Sequence, residues 1–272
     1  MKPRMRYKIA TFANIHLTTD LCLSTMLMRK LLYPLFVLLA ISSLQAQAPE
    51  LYNFDNYRVD TISIDGHPES VAETGSGLFI SSIGKEMNPT AADGDGVIYK
   101  YIPARDTFPD TTVVFATGLN APKGMVTDNA SLFVADLDRI VQLHTDTGIV
   151  INTYPLEGAT FLNDIVWMSD STLLVSATNL NALYELNIVT GNWRKFDLPE
   201  LRGPNGVWFA HNMVFFCEMG NKNQSARIGT FEYANPRKSL YFFPQMGAPS
   251  GYDGLCYAEN KHMLASNWGK PD

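Results

Sequence analysis

The chain is poor in cysteine, with three in 272 residues. Cys22 precedes an apolar run that has the features of a cleavable leader, so only Cys217 and Cys256 belong to the remainder of the protein. Two cysteines exclude a disulfide-stabilised scaffold. A single bridge between them stays open as an alternative, because export permits disulfides. Cys217 falls at a position that recurs along the chain as a small residue, which favours a buried, unreactive thiol.

The motifs of several common protein classes are missing. Beyond Pro49, no stretch of a dozen residues keeps the 3.6-residue apolar period of an amphipathic helix, which predicts an all-β chain. The sequence has no serine-centred G-x-S-x-G elbow and no glycine-rich phosphate loop. No grouping of histidine and cysteine suggests zinc. Basic stretches with interleaved aromatic residues are also missing, so we expect no nucleic-acid partner.

The first 48 residues have the order of a secretory signal. Met28-Arg29-Lys30 is followed by an apolar run over residues 31–41 and then by Ala46-Gln47-Ala48. The run is shorter than the roughly 20 residues of a transmembrane helix, which is the alternative interpretation. We therefore predict a possible upstream extension (1–27), a signal peptide (28–48) and an exported domain (49–272), periplasmic or secreted, with no membrane attachment after cleavage.

Removal of this segment makes the chain strongly acidic. Six of the 21 basic residues and one of the 27 acidic residues lie in residues 1–48, which leaves 15 basic and 26 acidic residues and a net charge of about −11. Such a surface repels nucleic acids and anionic lipids and attracts cations.

Five short stretches repeat along the acidic part of the chain. Each stretch leads into an apolar run, and a second apolar run follows about ten residues later. The position directly after the second run is a small residue in all five copies. The stretches are Pro68-Glu69-Ser70-Val71, Pro122-Lys123-Gly124-Met125, Leu162-Asn163-Asp164-Ile165, Pro204-Asn205-Gly206-Val207 and Tyr252-Asp253-Gly254-Leu255. The small residues, here called the small-residue column, are Ser81, Ala135, Ser176, Cys217 and Ser266. A period of roughly 40 to 50 residues predicts stacked four-stranded units.

The repeats predict an all-β, six-bladed β-propeller that is truncated after about four and a half blades. The fifth repeat stops at Trp268-Gly269-Lys270-Pro271-Asp272, after its second strand. Propellers avoid free sheet edges by closing the ring. A five-bladed ring is the alternative. Residues 57–64 are predicted to form a strand that completes the last blade.

The repeats also predict a site. Asn-Gly and Asp-Gly dipeptides usually form hairpin turns, but residues 199–204 and 247–251 ahead of them do not read as strands. The dipeptides therefore stand where a loop leads into the innermost strand of a blade. These positions surround one mouth of a propeller channel, so five side chains, here called the rim residues, would converge: Glu69, Lys123, Asn163, Asn205 and Asp253.

Four of the rim residues offer oxygen ligands. Two carboxylates and two amide carbonyls suit a hard divalent cation, and Ca²⁺ tolerates irregular oxygen geometry. Lys123 does not fit this set, so it either points aside or offers its charge to a substrate oxyanion. A competing calcium loop at Asp93-Gly94-Asp95-Gly96 lacks the glutamate at position twelve of an EF-hand, which favours a loop with a bulge.

At these residues the chain resembles the gluconolactonase/regucalcin superfamily of six-bladed propellers and, more distantly, the paraoxonases and strictosidine synthase-like proteins. The similarity covers about residues 57–269. It is carried by Pro68-Glu69-Ser70-Val71, by Phe161-Leu162-Asn163-Asp164-Ile165, by Gly203-Pro204-Asn205-Gly206-Val207 and by Asp253-Gly254.

The resemblance implies one divalent cation, usually Ca²⁺, with Glu69, Asn205 and Asp253 as ligands and Asp253 as general base. It makes Asn163 a further ligand or a substrate contact. The substrate arginine of some sugar lactonases and the histidine pair of paraoxonases have no match here. Our hypothesis is an exported, metal-dependent lactone or ester hydrolase. A non-catalytic propeller that binds a ligand or protein partner around a structural metal is the second hypothesis, and an inactive fragment is the third.

Overall fold

The computed structural model of the protein describes residues 12–16, 61–220, 225–244, 251–258 and 262–267. The predicted signal peptide, the expected first residue of the mature chain near Pro49 and the final residues 268–272 lie outside the described residues. Within the described residues, no helix has the length and apolar character needed to cross a membrane.

The described residues form five antiparallel sheets with very little helix, as the repeats predict. The first strand, β1 (Phe12–His16), belongs to the last sheet. Sheet 1 contains β2 (Pro68–Thr74), β3 (Gly77–Ser82), β4 (Gly96–Ile102) and β5 (Thr111–Leu119). Sheet 2 contains β6 (Pro122–Thr127), β7 (Ser131–Asp136), β8 (Arg139–His144) and β9 (Val150–Pro155).

The next two sheets repeat this order. Sheet 3 contains β10 (Leu162–Ser169), β11 (Thr172–Ala177), β12 (Ala182–Asn187) and β13 (Trp193–Lys195). Sheet 4 contains β14 (Pro204–Ala210), β15 (Met213–Glu218), β16 (Ile228–Glu232) and β17 (Tyr241–Phe242). A 3₁₀ helix (Thr178–Leu180) follows β11, and a short α-helix (Pro236–Ser239) precedes β17.

Sheet 5 differs from the others. It contains β18 (Tyr252–Ala258), β19 (His262–Asn267) and, as a third strand beside β19, the early strand β1. The predicted closing strand at residues 57–64 is wrong for its described part, because residues 61–64 form no strand. Gly66, at a φ of 94°, turns the chain just ahead of β2, and β1 takes the position beside β19.

The hydrophobic core consists of separate layers between consecutive sheets. Phe79 of sheet 1 packs with Met125 of sheet 2, and Phe133 of sheet 2 packs with Ile165 of sheet 3. The layers between sheets 3 and 4 and between sheets 4 and 5 are built in the same way, around Leu174 and Val207 and around Cys217 and Leu255. The first strand of each sheet is here called the inner strand, and in sheets 2 to 5 it packs an apolar residue against the sheet before it.

Sheet 1 is the exception to this packing. The apolar residue that follows the rim is buried in the four later sheets, with exposed fractions of 6% for Met125, 3% for Ile165, 1% for Val207 and 8% for Leu255. Val71, at the same position of sheet 1, is 58% exposed. Val114 lies on the same face through the paired residues Ile80 and Tyr99 and is also 58% exposed. No sheet in the described part of the chain covers this face.

The loop before β4 is the predicted loop with a bulge. The Asp95 carboxylate accepts the backbone N–H of Lys85 at 3.0 Å, and the Asp93 carboxylate accepts that of Asp95 at 3.3 Å. Pairing with β5 shifts register directly after the loop, between Gly96 and Val97. These carboxylates therefore brace the loop.

Candidate functional site

All five rim residues stand second in an inner strand, and each stands at an irregularity. The inner strand changes register with its partner at the rim in every sheet. Bulges of this kind redirect a side chain that a regular strand would hold against its neighbours. Asn205 and Gly206 lie inside β14, and Asp253 and Gly254 lie inside β18, so the prediction that these dipeptides begin inner strands is confirmed.

Glycine allows the inner strands to approach each other at the rim. A Cβ atom on Gly124 would lie 2.7 Å from Cα of Asp164 and 2.8 Å from the carbonyl oxygen of Asn163. A Cβ atom on Gly206 would lie 2.4 Å from the carbonyl oxygen of Asp253. Both distances are too short for any side chain, and the obstacles are mainly backbone atoms. The glycines therefore bring the backbones of neighbouring rim residues into contact.

The rim residues are neighbours in chain order. The glycine contacts join sheet 2 to sheet 3 and sheet 4 to sheet 5. Between sheets 3 and 4, the Asp164 carboxylate accepts the backbone N–H of Val207 at 2.9 Å. Glu69 feels the charges of both Lys123 and Asp253, which relates sheet 1 to sheet 2 and to sheet 5. The structure therefore brings the five predicted positions together at one end of the sheets.

Glu69 is the most perturbed of the rim carboxylates. Burial raises its pKa from 4.5 to about 7, and the negative charge of Asp253 raises it further, while the positive charge of Lys123 lowers it. Glu69 accepts no hydrogen bond from the residues that the structure describes. The protein thus places a partly buried carboxylate beside a second one without supplying donors to it.

Lys123 is buried beneath the rim, with only 1% of its surface exposed. Its ammonium group donates to the Ala121 carbonyl at 2.8 Å and lies 4.8 Å from the centre of the Phe161 ring. Burial lowers its pKa to about 8, against the opposing effects of Glu69 and then of Asp136. The ammonium group is therefore turned into the protein, which is one of the two orientations that we expected.

Asn163 and Asn205 are more than nine-tenths buried, with 7% and 3% of their surfaces exposed. Neither side-chain amide hydrogen-bonds to a residue in the described ranges. Buried amides normally find partners within the protein. Among the described residues, the buried side-chain polar atoms without a partner are the Trp193 and Trp208 indole nitrogens, so the amide atoms of Asn163 and Asn205 are still reached by solvent and are open to a ligand from outside the chain.

Asp164 is a site residue that the sequence analysis did not select. Its two carboxylate oxygens accept the backbone N–H groups of Ile165 and Val207, each at 2.9 Å. Burial raises its pKa to about 7; these two hydrogen bonds lower the pKa, and the charge of Asp253 raises it. The signal was present in the repeat, because Asp164 stands where the other copies have serine or glycine.

The donor set suits a hard cation better than a zinc ion. Within the described ranges, no three His, Cys, Asp or Glu side chains form a metal-binding group. The predicted ligands contain only two residues of these types, Glu69 and Asp253, together with two amides. Carboxylate and amide oxygens are the ligands that Ca²⁺ takes in proteins. The residues present therefore fit the predicted cation by the type of their ligand atoms.

A cavity of about 250 Å³ opens at the same end of the sheets. Arg202, Arg227, Phe243 and Tyr252 contribute to its walls. Arg227 is neutralised by two hydrogen bonds to Glu218 and lies over the Phe242 ring. Its walls come from sheet 4 and from Tyr252 of sheet 5, and none of the rim residues lines it.

Both described cysteines are free, so the alternative of a Cys217–Cys256 bridge is wrong. Cys217 is fully buried, and burial raises the pKa of its thiol well above the usual value. The prediction of a buried, unreactive thiol is confirmed.

Comparison with known proteins adds little to this geometry. No family model matches the chain, and no curated protein matches it. One matching solved structure is that of the computationally designed Ika4 protein, which is 12% identical. The match covers 56% of this chain and 92% of that chain, with a TM-score of 0.40. Similarity at this level has no bearing on function, so the site is interpreted from its own residues.

Proposed function

We propose that the protein is an exported, calcium-dependent lactone or ester hydrolase built on a six-bladed β-propeller. The proposal rests on the side chains of the rim residues and on the few hydrogen bonds that they make to described residues. Glu69, which accepts no hydrogen bond from a described residue, lies within the field of Asp253. The side-chain amides of Asn163 and Asn205 make no hydrogen bond to a described residue and remain accessible to solvent. A divalent cation would relieve the repulsion and satisfy the amide oxygens.

The propeller accounts for the order of the sheets and for what each one covers. Side chains alternate along a strand, so Cys256 faces away from sheet 4 because Leu255 packs against it. Val71 faces away from sheet 2 in the same way. Both residues are exposed, which supports a gap between sheets 5 and 1 where a further blade would fit. A closed five-bladed ring would bury them against each other.

A distance between two spin labels tests this arrangement. Cys256 is an exposed native thiol and Val71→Cys adds a second, while buried Cys217 stays unlabelled. Packed sheets are about 10 Å apart. We expect a separation of about 20 Å across a one-blade gap. A separation of about 10 Å would support the five-bladed ring instead.

The cation would be held by Glu69, Asn163, Asn205 and Asp253. When bound, a Ca²⁺ ion polarises a substrate carbonyl and stabilises the oxyanion. Lys123 is a poor direct substrate contact, because its ammonium group is buried against Ala121 and Phe161. Its charge instead offsets part of the negative charge of Glu69.

Asp253 acts on water in the proposed reaction. Its carboxylate takes a proton from the attacking water, whose oxygen forms a bond to the carbonyl carbon. The bond from that carbon to the leaving oxygen then breaks, and the proton passes to the leaving oxygen. The cavity beside Tyr252 has room for the remainder of a small lactone or ester.

Hydrolysis of a lactone and aryl-ester panel tests the activity. We expect Asp253→Ala and calcium removal each to lower kcat/KM by about 100-fold or more, since a positioned general base typically contributes that much. Glu232→Gln, an exposed position on β16, is the control and keeps the wild-type rate. Equal rates for wild type, calcium-free protein and Asp253→Ala would remove the hydrolase proposal.

The burial of Lys123 favours a second candidate function, a non-catalytic binding protein with a structural cation. The rim then presents no cationic group to a substrate oxyanion. This candidate predicts that Ca²⁺ raises the Tm while no compound of the panel is hydrolysed. A ligand would be detected as a further rise in Tm at saturating Ca²⁺.

Export is tested by the start of the mature chain. Cleavage after Ala48 would remove β1 together with the signal, and would leave β19 with a free edge. Intact-mass measurement of protein from the periplasm or the medium should therefore give a chain that begins near Pro49. A chain that retains residues 12–16 would contradict export by this signal and would keep β1 in sheet 5.

A further inference from the structure

Most side chains of the small-residue column are polar as well as small, and their polar atoms hydrogen-bond to the backbone next to the rim residues. The hydroxyl of Ser81 accepts the backbone N–H of Ser70 at 3.0 Å, directly after Glu69. The hydroxyl of Ser176 accepts that of Asp164 at 2.9 Å, directly after Asn163. Each serine therefore holds the peptide group that carries a rim residue on its carbonyl side.

Sheet 5 follows the same rule, and sheet 4 follows a variant of it. The hydroxyl of Ser266 accepts the N–H of Gly254 at 2.7 Å, directly after Asp253. In sheet 4, the column residue Cys217 acts on the rim residue of the next sheet. The Cys217 thiol donates to the carbonyl oxygen of Asp253 at 3.1 Å. The Asp253–Gly254 peptide is thus held at both its polar groups.

The exception is informative. Sheet 2 has Ala135 in the column, which offers no polar side-chain atom. It is also the sheet whose rim residue is Lys123, the one without an oxygen ligand. A polar column residue therefore occurs in the four sheets that carry a candidate ligand and is replaced in the sheet that does not.

The bulge explains why such support is needed. Regular pairing is interrupted at the rim: sheet 1 skips Glu69, and sheets 2 to 5 skip both the rim residue and the residue after it. An unpaired buried N–H is costly, and the peptide would otherwise rotate to find a partner. A side-chain acceptor fixes that peptide and, with it, the direction of the rim side chain.

We propose that the polar members of the column are positioning residues that aim the rim ligands: Ser81, Ser176, Cys217 and Ser266. The inference rests on the proposed cation site. Groups that hold metal ligands in place typically alter metal affinity by about 10- to 100-fold when they are removed.

Ser176→Ala in the full chain is the sharpest test. Its matched control is Thr230→Val, which removes a buried hydroxyl that donates to the Val214 carbonyl at 2.8 Å inside sheet 4. We expect both variants to lower the Tm to a similar extent without calcium. Only Ser176→Ala should raise the Kd for Ca²⁺, by about tenfold, as measured by calorimetry. Ser176→Cys, which supplies the residue used in sheet 4, should restore affinity.

Amide hydrogen exchange separates this inference from the proposed function. Ser176→Ala should speed exchange of the Asp164 amide at least about tenfold more than Thr230→Val does, because the amide loses its acceptor. If wild-type protein binds no Ca²⁺ but this exchange result holds, the cation proposal fails and the positioning role stands. An unchanged Asp164 amide, or equal Ca²⁺ affinity in Ser176→Ala and Thr230→Val, would overturn the positioning role.

Discussion

Carboxylates at the same end of the molecule fall into two groups. Asp136 accepts the N–H groups of Asn120 and Ala121 at 2.8 and 2.9 Å and is paired with Arg139. Glu218 accepts the N–H of Arg202 at 2.7 Å and is paired with Arg227. Both are fully supplied with donors, whereas Glu69 receives none from the described residues.

The difference supports the proposed distinction between carboxylates that stabilise the fold and one that binds a cation. Asp136 and Glu218 end the second strands of sheets 2 and 4 and tie down the loops that lead into the inner strands. Their negative charges are neutralised by arginines of the same chain. Glu69 lies in the same region without a hydrogen-bond donor among the described residues and with its charge only partly offset by Lys123, which supports its proposed role as a cation ligand.

The largest expected effect on stability comes from removing a carboxylate that is both hydrogen-bonded and ion-paired within the protein. Glu218→Gln removes the partner of Arg227 and weakens the bond to the Arg202 backbone. We expect a loss of about 2–4 kcal/mol in the free energy of unfolding, because breaking a buried ion pair leaves an uncompensated charge. Urea denaturation measures it. Glu232→Gln, exposed in the same sheet, is the control and should cost less than about 0.5 kcal/mol. Similar losses in both variants would contradict a structural role for Glu218.

Glu69→Gln should behave in the opposite way. The folded-state pKa of Glu69, about 7, lies above its usual value of 4.5. The folded protein therefore binds this proton more tightly than the unfolded chain does. The associated stability is complete below about pH 4.5 and is lost as pH rises through 7.

Without calcium, Glu69→Gln should therefore be as stable as wild type near pH 4.5 and more stable by about 1–2 kcal/mol at pH 8, a figure reduced for the partial exposure of Glu69. Urea denaturation at several pH values measures the difference. Addition of Ca²⁺ at pH 8 should stabilise wild type and leave the variant nearly unchanged. If the free energy of unfolding depends on pH in the same way for the two proteins, Glu69 does not have the raised pKa that this prediction requires.

The sequence was sufficient to predict the repeats and the rim. Periodic apolar runs depend on local chemistry, so β2, β6, β10, β14 and β18 begin at the predicted stretches. Four column residues are small for a reason that periodicity indicates, since Ser81, Ala135, Ser176 and Cys217 are fully buried between consecutive sheets. The convergence of Glu69 and Asp253 was also predictable, because position in the repeat determines position at the rim.

Long-range partners were not predictable in this way. Glu218 is tied to Arg202 and Arg227, and nothing in the repeat marks those arginines as its partners. The burial of Lys123 depends on the path of the chain at Ala121 and on the Phe161 ring in the next sheet. Val71 is exposed because no sheet of the described ranges packs against its face, and no local sequence pattern indicates this.

The smallest expected effect concerns Lys123, whose positive charge lowers the pKa of Glu69. Lys123→Met removes a buried charge together with its hydrogen bond to Ala121, and these changes oppose each other, so we expect stability at pH 5 to change by less than about 1 kcal/mol. The pH at which the metal-free protein loses stability should move upward, because the positive charge that lowers the pKa of Glu69 is gone. Lys195→Met, exposed on β13, is the matched control and should leave that midpoint unchanged. If the pH midpoint of the stability loss does not move in Lys123→Met, Lys123 and Glu69 act independently. The raised pKa of Glu69 would then depend on its burial and on Asp253, and not on the balance with Lys123.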